Sequence, residues 1–213
     1  MALSKVDYNS LNVTPAASKA IKWNSTPNGF ETGDIAGALV LISTTTASSS
    51  DTVTIDSGID STYKEYQIHI IQAHCETDNK ILQMGFRDGG SAYDATKTTS
   101  YFSAMHKEDD TSTSLGYNTD QDQAQATGFL NVSEALGADN DQCANIIIHL
   151  YDPSNTTFVK HFLIRTAYVH QNDRSIDAFI GGYCNTTSAI DGVQFKMDTD
   201  AIDAGTFKLY GVT

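Results

Sequence analysis

The chain has 213 residues, 40% of them hydrophobic and only 18% charged, a composition that can bury a core and excludes general disorder. Its formal net charge of −13 repels phosphate backbones and anionic lipid, which argues against nucleic acid and membranes as partners. The length suits one substantial core, or one domain with an appendage.

Residues 1–37 stand apart from the rest. Pro15, Pro27, Gly29, Gly33 and Gly37 punctuate them, and their apolar residues come singly: Val6, Leu11, Val13, Ile21, Trp23, Phe30 and Ile35. The first ten residues hold Lys5, Asp7 and Asn9 without an apolar run, so they do not read as a signal peptide. A short helical turn is expected around Ala16 to Ile21. Such a stretch builds no core alone and is expected to be an extended N-terminal arm. It either anchors on a neighbouring subunit or lies along its own domain.

From residue 38 to 213, β-type runs recur with turn signals between them. Strands are predicted near Ala38–Ser43, Thr52–Ile55, Glu65–His74, Lys80–Arg87, Tyr101–His106, Asn145–Tyr151, Phe158–Val169, Ala178–Tyr183, Val193–Met197 and Thr206–Val212. Hairpin connections are expected at Cys75 to Asn79 and Asp152 to Thr156, and Ser/Thr/Asp/Gly linkers at Thr44 to Asp51 and Asp88 to Lys97. Helix potential is confined to Asp120–Thr127 and Val132–Leu136. At the end of the chain, Phe207 and Leu209 alternate with Lys208 and Tyr210, which makes this segment part of the core and not a tail. Many strands, almost no helix and no internal repeat predict an all-β fold, an antiparallel β-sandwich of jelly-roll type.

No residue set commits the chain to catalysis or to a cofactor. Cys75, Cys143 and Cys184 are far apart, odd in number and outside any C-x-x-C, so reduced, mostly buried thiols are expected. His149 and His161 fall opposite each other if the hairpin is centred on Asn155, but a zinc site needs three or four ligands, and a stacked cross-strand pair is the favoured reading. His69 and His74 read as lying on opposite faces of their strand. Asn118, Asp120 and Asp122 match the first half of a calcium loop, yet Gln123 stands where glycine is needed and Phe129 where a bidentate glutamate belongs. Asp139, Asn140 and Asp141 have no ligand spacing. Gly181 and Gly182 lead into Tyr183 and not into a helix, which suggests a bulge or a crossing point. There is no G-x-S-x-G elbow and no phosphate-cradling glycine motif. A carboxylate pair for glycoside hydrolysis is not written in local sequence and stays open.

Several blocks are familiar: the opening Met1 to Val6, the run Asn140 to Gln142, the run Asp152 to Phe162, the run Asn185 to Ile190, and Ala204 to Val212. They resemble virion proteins of marine tailed bacteriophages, over nearly the whole chain. The resemblance marks strands and turns and carries no functional residue. It implies a non-enzymatic virion structural protein, surface-exposed and homo-oligomeric, with a homotrimer expected. A tail fibre or tail-associated appendage is the first reading, with residues 1–37 joining it to other virion proteins. A capsid decoration protein and a host-glycan-binding module, the latter using Tyr93, Tyr101, Tyr117 or Tyr168, are the alternatives.

Overall fold

The computed structural model describes residues 19–24, 26, 29–34 and 39–213. The chain divides into two units, Met1–Ala38 with Thr213, and Leu39–Val212. Among the described residues there is no helix.

In the first unit, β1 (Lys19–Trp23) and β2 (Phe30–Asp34) form an antiparallel hairpin. Trp23 lies opposite Phe30 and stacks on it with ring centres 4.5 Å apart, although Trp23 stays largely exposed. The expected helical turn fails over 19–21, which belong to β1; its earlier residues lie outside the described ones. So do all of residues 1–18, on which the arm reading chiefly rests.

The second unit contains β3 (Leu39–Ser50), β4 (Val53–Ile55), β5 (Glu65–Cys75), β6 (Leu82–Arg87), β7 (Lys97–Lys107), β8 (Thr113–Tyr117), β9 (Gln123–Ala126), β10 (Leu130–Asn131), β11 (Ala144–Tyr151), β12 (Lys160–His170), β13 (Arg174–Cys184), β14 (Gly192–Met197) and β15 (Ile202–Val212). All pairings are antiparallel. The large sheet runs β3-β15-β5-β11-β12-β13-β7-β8, with β9 also on β7, and the small sheet runs β10-β6-β14-β4. The two sheets pack into a β-sandwich. All ten predicted strands are present, and β8, β9 and β10 are additional.

The pairings nest. β3 pairs with β15, β4 with β14, β5 with β11 and β6 with β10, and successive pairs alternate between the two sheets. β15 therefore lies between β3 and β5, and β14 between β4 and β6. Strands β7 to β9 and β12 to β13 all extend the large sheet beyond β11.

Alternation builds the core. In β12, Phe162, Ile164 and Thr166 point inward while His161, Leu163 and Arg165 point outward. Phe86 of the small sheet meets Phe162 of the large one at 4.8 Å, and Phe195 meets Phe207 at 5.2 Å. Phe207 and Leu209 are fully buried, as the terminal alternation requires.

Two lysines are also fully buried. Lys97 and Lys160 both lie opposite Cys184, on its two neighbouring strands. The Lys160 ammonium donates to the carbonyls of Asn155, Phe158 and Thr186 at 3.0, 3.3 and 2.8 Å, and Lys97 donates to that of Ala95 at 3.0 Å. Burial pushes the Cys184 thiol up to about 12 despite both lysines, and Cys75 up to about 11.

Several local expectations are corrected. Residues 44–50 are not a linker but the second half of β3, paired along β15. Cys75 to Asn79 is no hairpin, because β5 and β6 belong to different sheets. Residues 120–127 hold a turn and β9, and 132–136 hold no helix; short polar or apolar runs there are captured by sheet edges and core. Gly181 and Gly182 keep regular register with both neighbours, so there is no bulge. Glycine at 182 is instead a packing requirement, since a Cβ there would sit 2.6 Å from the Phe162 ring and 2.8 Å from the Thr98 carbonyl.

Candidate interaction face

The outer face of the large sheet is the most unusual surface among the described residues. Register aligns one row across all eight strands: Thr44, Lys208, His69, Ile147, Arg165, Phe179, Phe102 and Tyr117. The next row reads Leu41, Tyr210, Gln67, His149, Leu163, Gly181 and Ser100. On the other side, Ala167, Asp177, Ala104 and Leu115 align, with Ile71 nearby on β5.

Apolar side chains on this face are large and open. Leu115 is 77% exposed and Leu163 52%, and Ile71, Phe102, Tyr117 and Ile147 are also exposed. They follow from runs in which polar residues fail to alternate, such as Ile146, Ile147 and Ile148 in β11, or Phe162, Leu163 and Ile164 in β12. A strand with apolar residues on both faces is the pattern of a strand covered on both sides.

Arg165 and the three carboxylates of this face, Glu65, Asp177 and Asp203, are paired locally. Arg165 donates through Nε and Nη2 to the two carboxylate oxygens of Asp177 at 3.0 and 2.7 Å. Its guanidinium also lies 4.9 Å from the centre of the Phe179 ring, which stacks on Phe102 at 5.1 Å with planes 5° apart. His149 Nδ1 is 2.7 Å from a Glu65 carboxylate oxygen. Two shallow grooves, of about 520 and 490 Å³, flank Arg165; one is floored by Ile71 and Ile147, the other by Phe102, Leu163 and Gly181.

Five of the six histidines point out on this face: His69, His74, His106, His149 and His161. His69 is hydrogen-bonded to Gln67 at 3.0 Å and lies 4.8 Å from the Tyr210 ring. Burial, with help from His149 and Lys208, lowers its pKa. His74 contacts Asp203 at 3.2 Å and His106 contacts Asp110 at 3.0 Å.

The histidine pairings expected from sequence are not the ones found. His149 lies opposite Leu163, a register two residues away from the expected one, because the β11–β12 connection runs to Val159. His161 instead approaches the Tyr183 ring at 5.9 Å. His69 and His74 share the outer face, because a bulge at Ile71 and Gln72, with Gln72 at φ 53°, resets the alternation of β5. Among the described residues no group of three His, Cys, Asp or Glu side chains is placed to hold a metal ion.

Other sequence candidates divide between core and loop. Tyr101 and Tyr168 are buried, Tyr168 Oη accepting the Glu134 amide at 2.9 Å, so neither is a surface platform. Tyr93 is half-buried beside Arg87, and Tyr117 is exposed. Asn118 is turned to Glu134, whose pKa burial raises, and Asp122 accepts the Tyr117 hydroxyl; the half calcium loop is thus used internally. Half-buried Cys143 shares a small depression with His74 and Asp203, but the His74 ring nitrogens face the Asp203 carboxylate and the Asp139 carbonyl. No family model, curated protein or solved structure matches the chain.

Proposed function

We propose that the chain is a non-enzymatic structural protein of a tailed-phage particle, surface-exposed and homo-oligomeric, and that Leu39–Val212 is a jelly roll. The nested pairing carries this reading. Four strands, β3 to β6, run against β15, β14, β11 and β10 as one long hairpin, folded so that successive pairs fall in alternate sheets. That wrapping supports the jelly-roll reading, and jelly rolls recur in viral coats and in lectins. Strands β7 to β9 and β12 to β13 are then insertions that widen one sheet.

A fold alone does not assign a function. The second support is the set of sequence blocks that resemble marine phage virion proteins, and the third is an acidic surface interrupted by one apolar face. A tail fibre or tail-associated appendage is the preferred place, with a trimer as the expected state and residues 1–37 as the attachment; a head decoration protein is the alternative. Quantitative proteomics of purified particles tests this. Few copies per particle indicate a tail part and many a decoration protein, and absence from particles refutes both.

One observation favours a host-glycan module as a second reading. Phe102, Phe179 and Tyr117 form an aromatic row on an open face. Retention of the protein on host polysaccharide, lost in Phe102→Ala, would support it.

A further inference from the structure

We propose that the outer face of the large sheet, centred on Ile147, Leu163, Arg165 and Phe102, is where a second copy of this chain docks. The proposal rests on the homo-oligomeric reading above and not on membership of a particle.

Three features of the face select a second copy as the occupant. The first is charge. The chain carries −13, yet Lys208 and Arg165 on this face stand against only Glu65, Asp177 and Asp203. Elsewhere two copies repel one another, and here the repulsion is nearly absent. An oppositely charged partner would need a charged patch, and this face offers none; its arginine is already committed to Asp177 at 2.7 Å.

The second is area. Eight strands at a spacing of about 4.8 Å, with outward rows about 7 Å apart, give a patch of roughly 600 Å² or more on each copy. Two such patches bury roughly 1,200 Å², the lower bound for a specific, stable interface.

The third is chemistry. The centre is aliphatic and aromatic with few charges, and histidine, tyrosine and glutamine lie around it, which matches the dry core and polar rim of protein interfaces. Leu163 stands opposite Gly181 on its neighbouring strand, so a projecting side chain lies beside a notch. A knob next to a hole on one surface can fit its own copy, as a two-fold or ring contact requires.

Sedimentation velocity of the full chain near neutral pH, up to roughly 100 μM, tests the proposal, a range that covers micromolar association. The expected result is an oligomer that Leu163→Glu and Ile147→Glu each convert to monomer. Both side chains point outward, so the two variants should keep the wild-type circular dichroism and the thermal transition that the wild type shows when diluted to monomer. A monomeric wild type overturns the proposal, and so does an oligomer that survives both substitutions. Retention on host polysaccharide by a monomeric wild type, lost in Leu163→Glu, would also overturn it and identify the face as a glycan platform. An oligomer of the expected behaviour in a protein absent from particles would leave this face standing and remove only the virion reading.

Discussion

Replacing Phe207 with alanine probes the contact that ties the two sheets together. Phe207 is fully buried on β15 and meets Phe195 of β14 at 5.2 Å, so one ring is contributed by each layer. Truncating a buried phenylalanine costs about 3–5 kcal/mol, from lost transfer energy and the cavity left behind. In a domain of this size, about 2–4 °C of Tm accompanies each kcal/mol, so a drop of about 6–20 °C is expected. Urea denaturation followed by tryptophan-independent circular dichroism is the direct assay, with the slope m unchanged and only the midpoint moved. Phe195→Ala should cost a similar amount, and the double variant should show a coupling of about 0.5–1.5 kcal/mol for the ring pair. Phe102→Ala, on the outer face, is the control and should leave a dilute monomer nearly unchanged. A loss below about 1 kcal/mol for Phe207→Ala would mean that the site collapses or that the two layers do not meet there.

Removing residues 206–213 should abolish soluble folding, because β15 is flanked by β3 and β5 on both sides; a soluble, cooperatively melting truncation would count against this topology. Stability should fall on acidification. The pKa values of His69 and His170 are lowered mainly by burial, so their contribution is complete above the unfolded value of about 6.5 and is lost as pH drops through the folded values. Urea midpoints at neutral and mildly acid pH read this, and a midpoint that rises with acid contradicts it. Native alkylation near pH 8 should modify Cys143 first, leaving Cys75 and Cys184 protected until denaturation; equal rates for all three would show that the core opens readily. Lys160→Met should cost about 1–3 kcal/mol by stranding the carbonyls of Asn155, Phe158 and Thr186, measured again by urea midpoint.

Strands with one dry and one wet face were legible in the sequence because period-two alternation is imposed by the pleat itself. Val193 to Met197 and Phe207 to Leu209 show this, and both are core strands. Strand β8, Thr-Ser-Leu-Gly-Tyr, was not legible: every one of its residues is exposed, so no burial disciplines its pattern. The β5 bulge was equally hidden, since it is made by Gln72 at positive φ, without a glycine to mark it. That one bulge reversed the facing expected for His69 and His74. The outer face leaves a trace in the sequence. Runs such as Ile146 to Ile148 and Phe162 to Ile164 break the alternation in favour of apolar residues, which signals a strand covered twice. Which strands neighbour one another could not be read locally, because β3 and β15 are brought together only by the closed fold.

The position of β15 also has a kinetic consequence. It is the last of the described strands, yet it is an interior strand of the large sheet, between the early strands β3 and β5. Until it arrives, those two strands present open edges and the core lacks Phe207 and Leu209, so folding waits on pairings of very high sequence separation. Such a domain folds slowly and leaves aggregation-prone edges open while it does so. The reverse step is slow as well, because β15 must be withdrawn from two neighbours at once. A chain closed in this way owes its persistence to the height of a barrier as much as to the depth of a well.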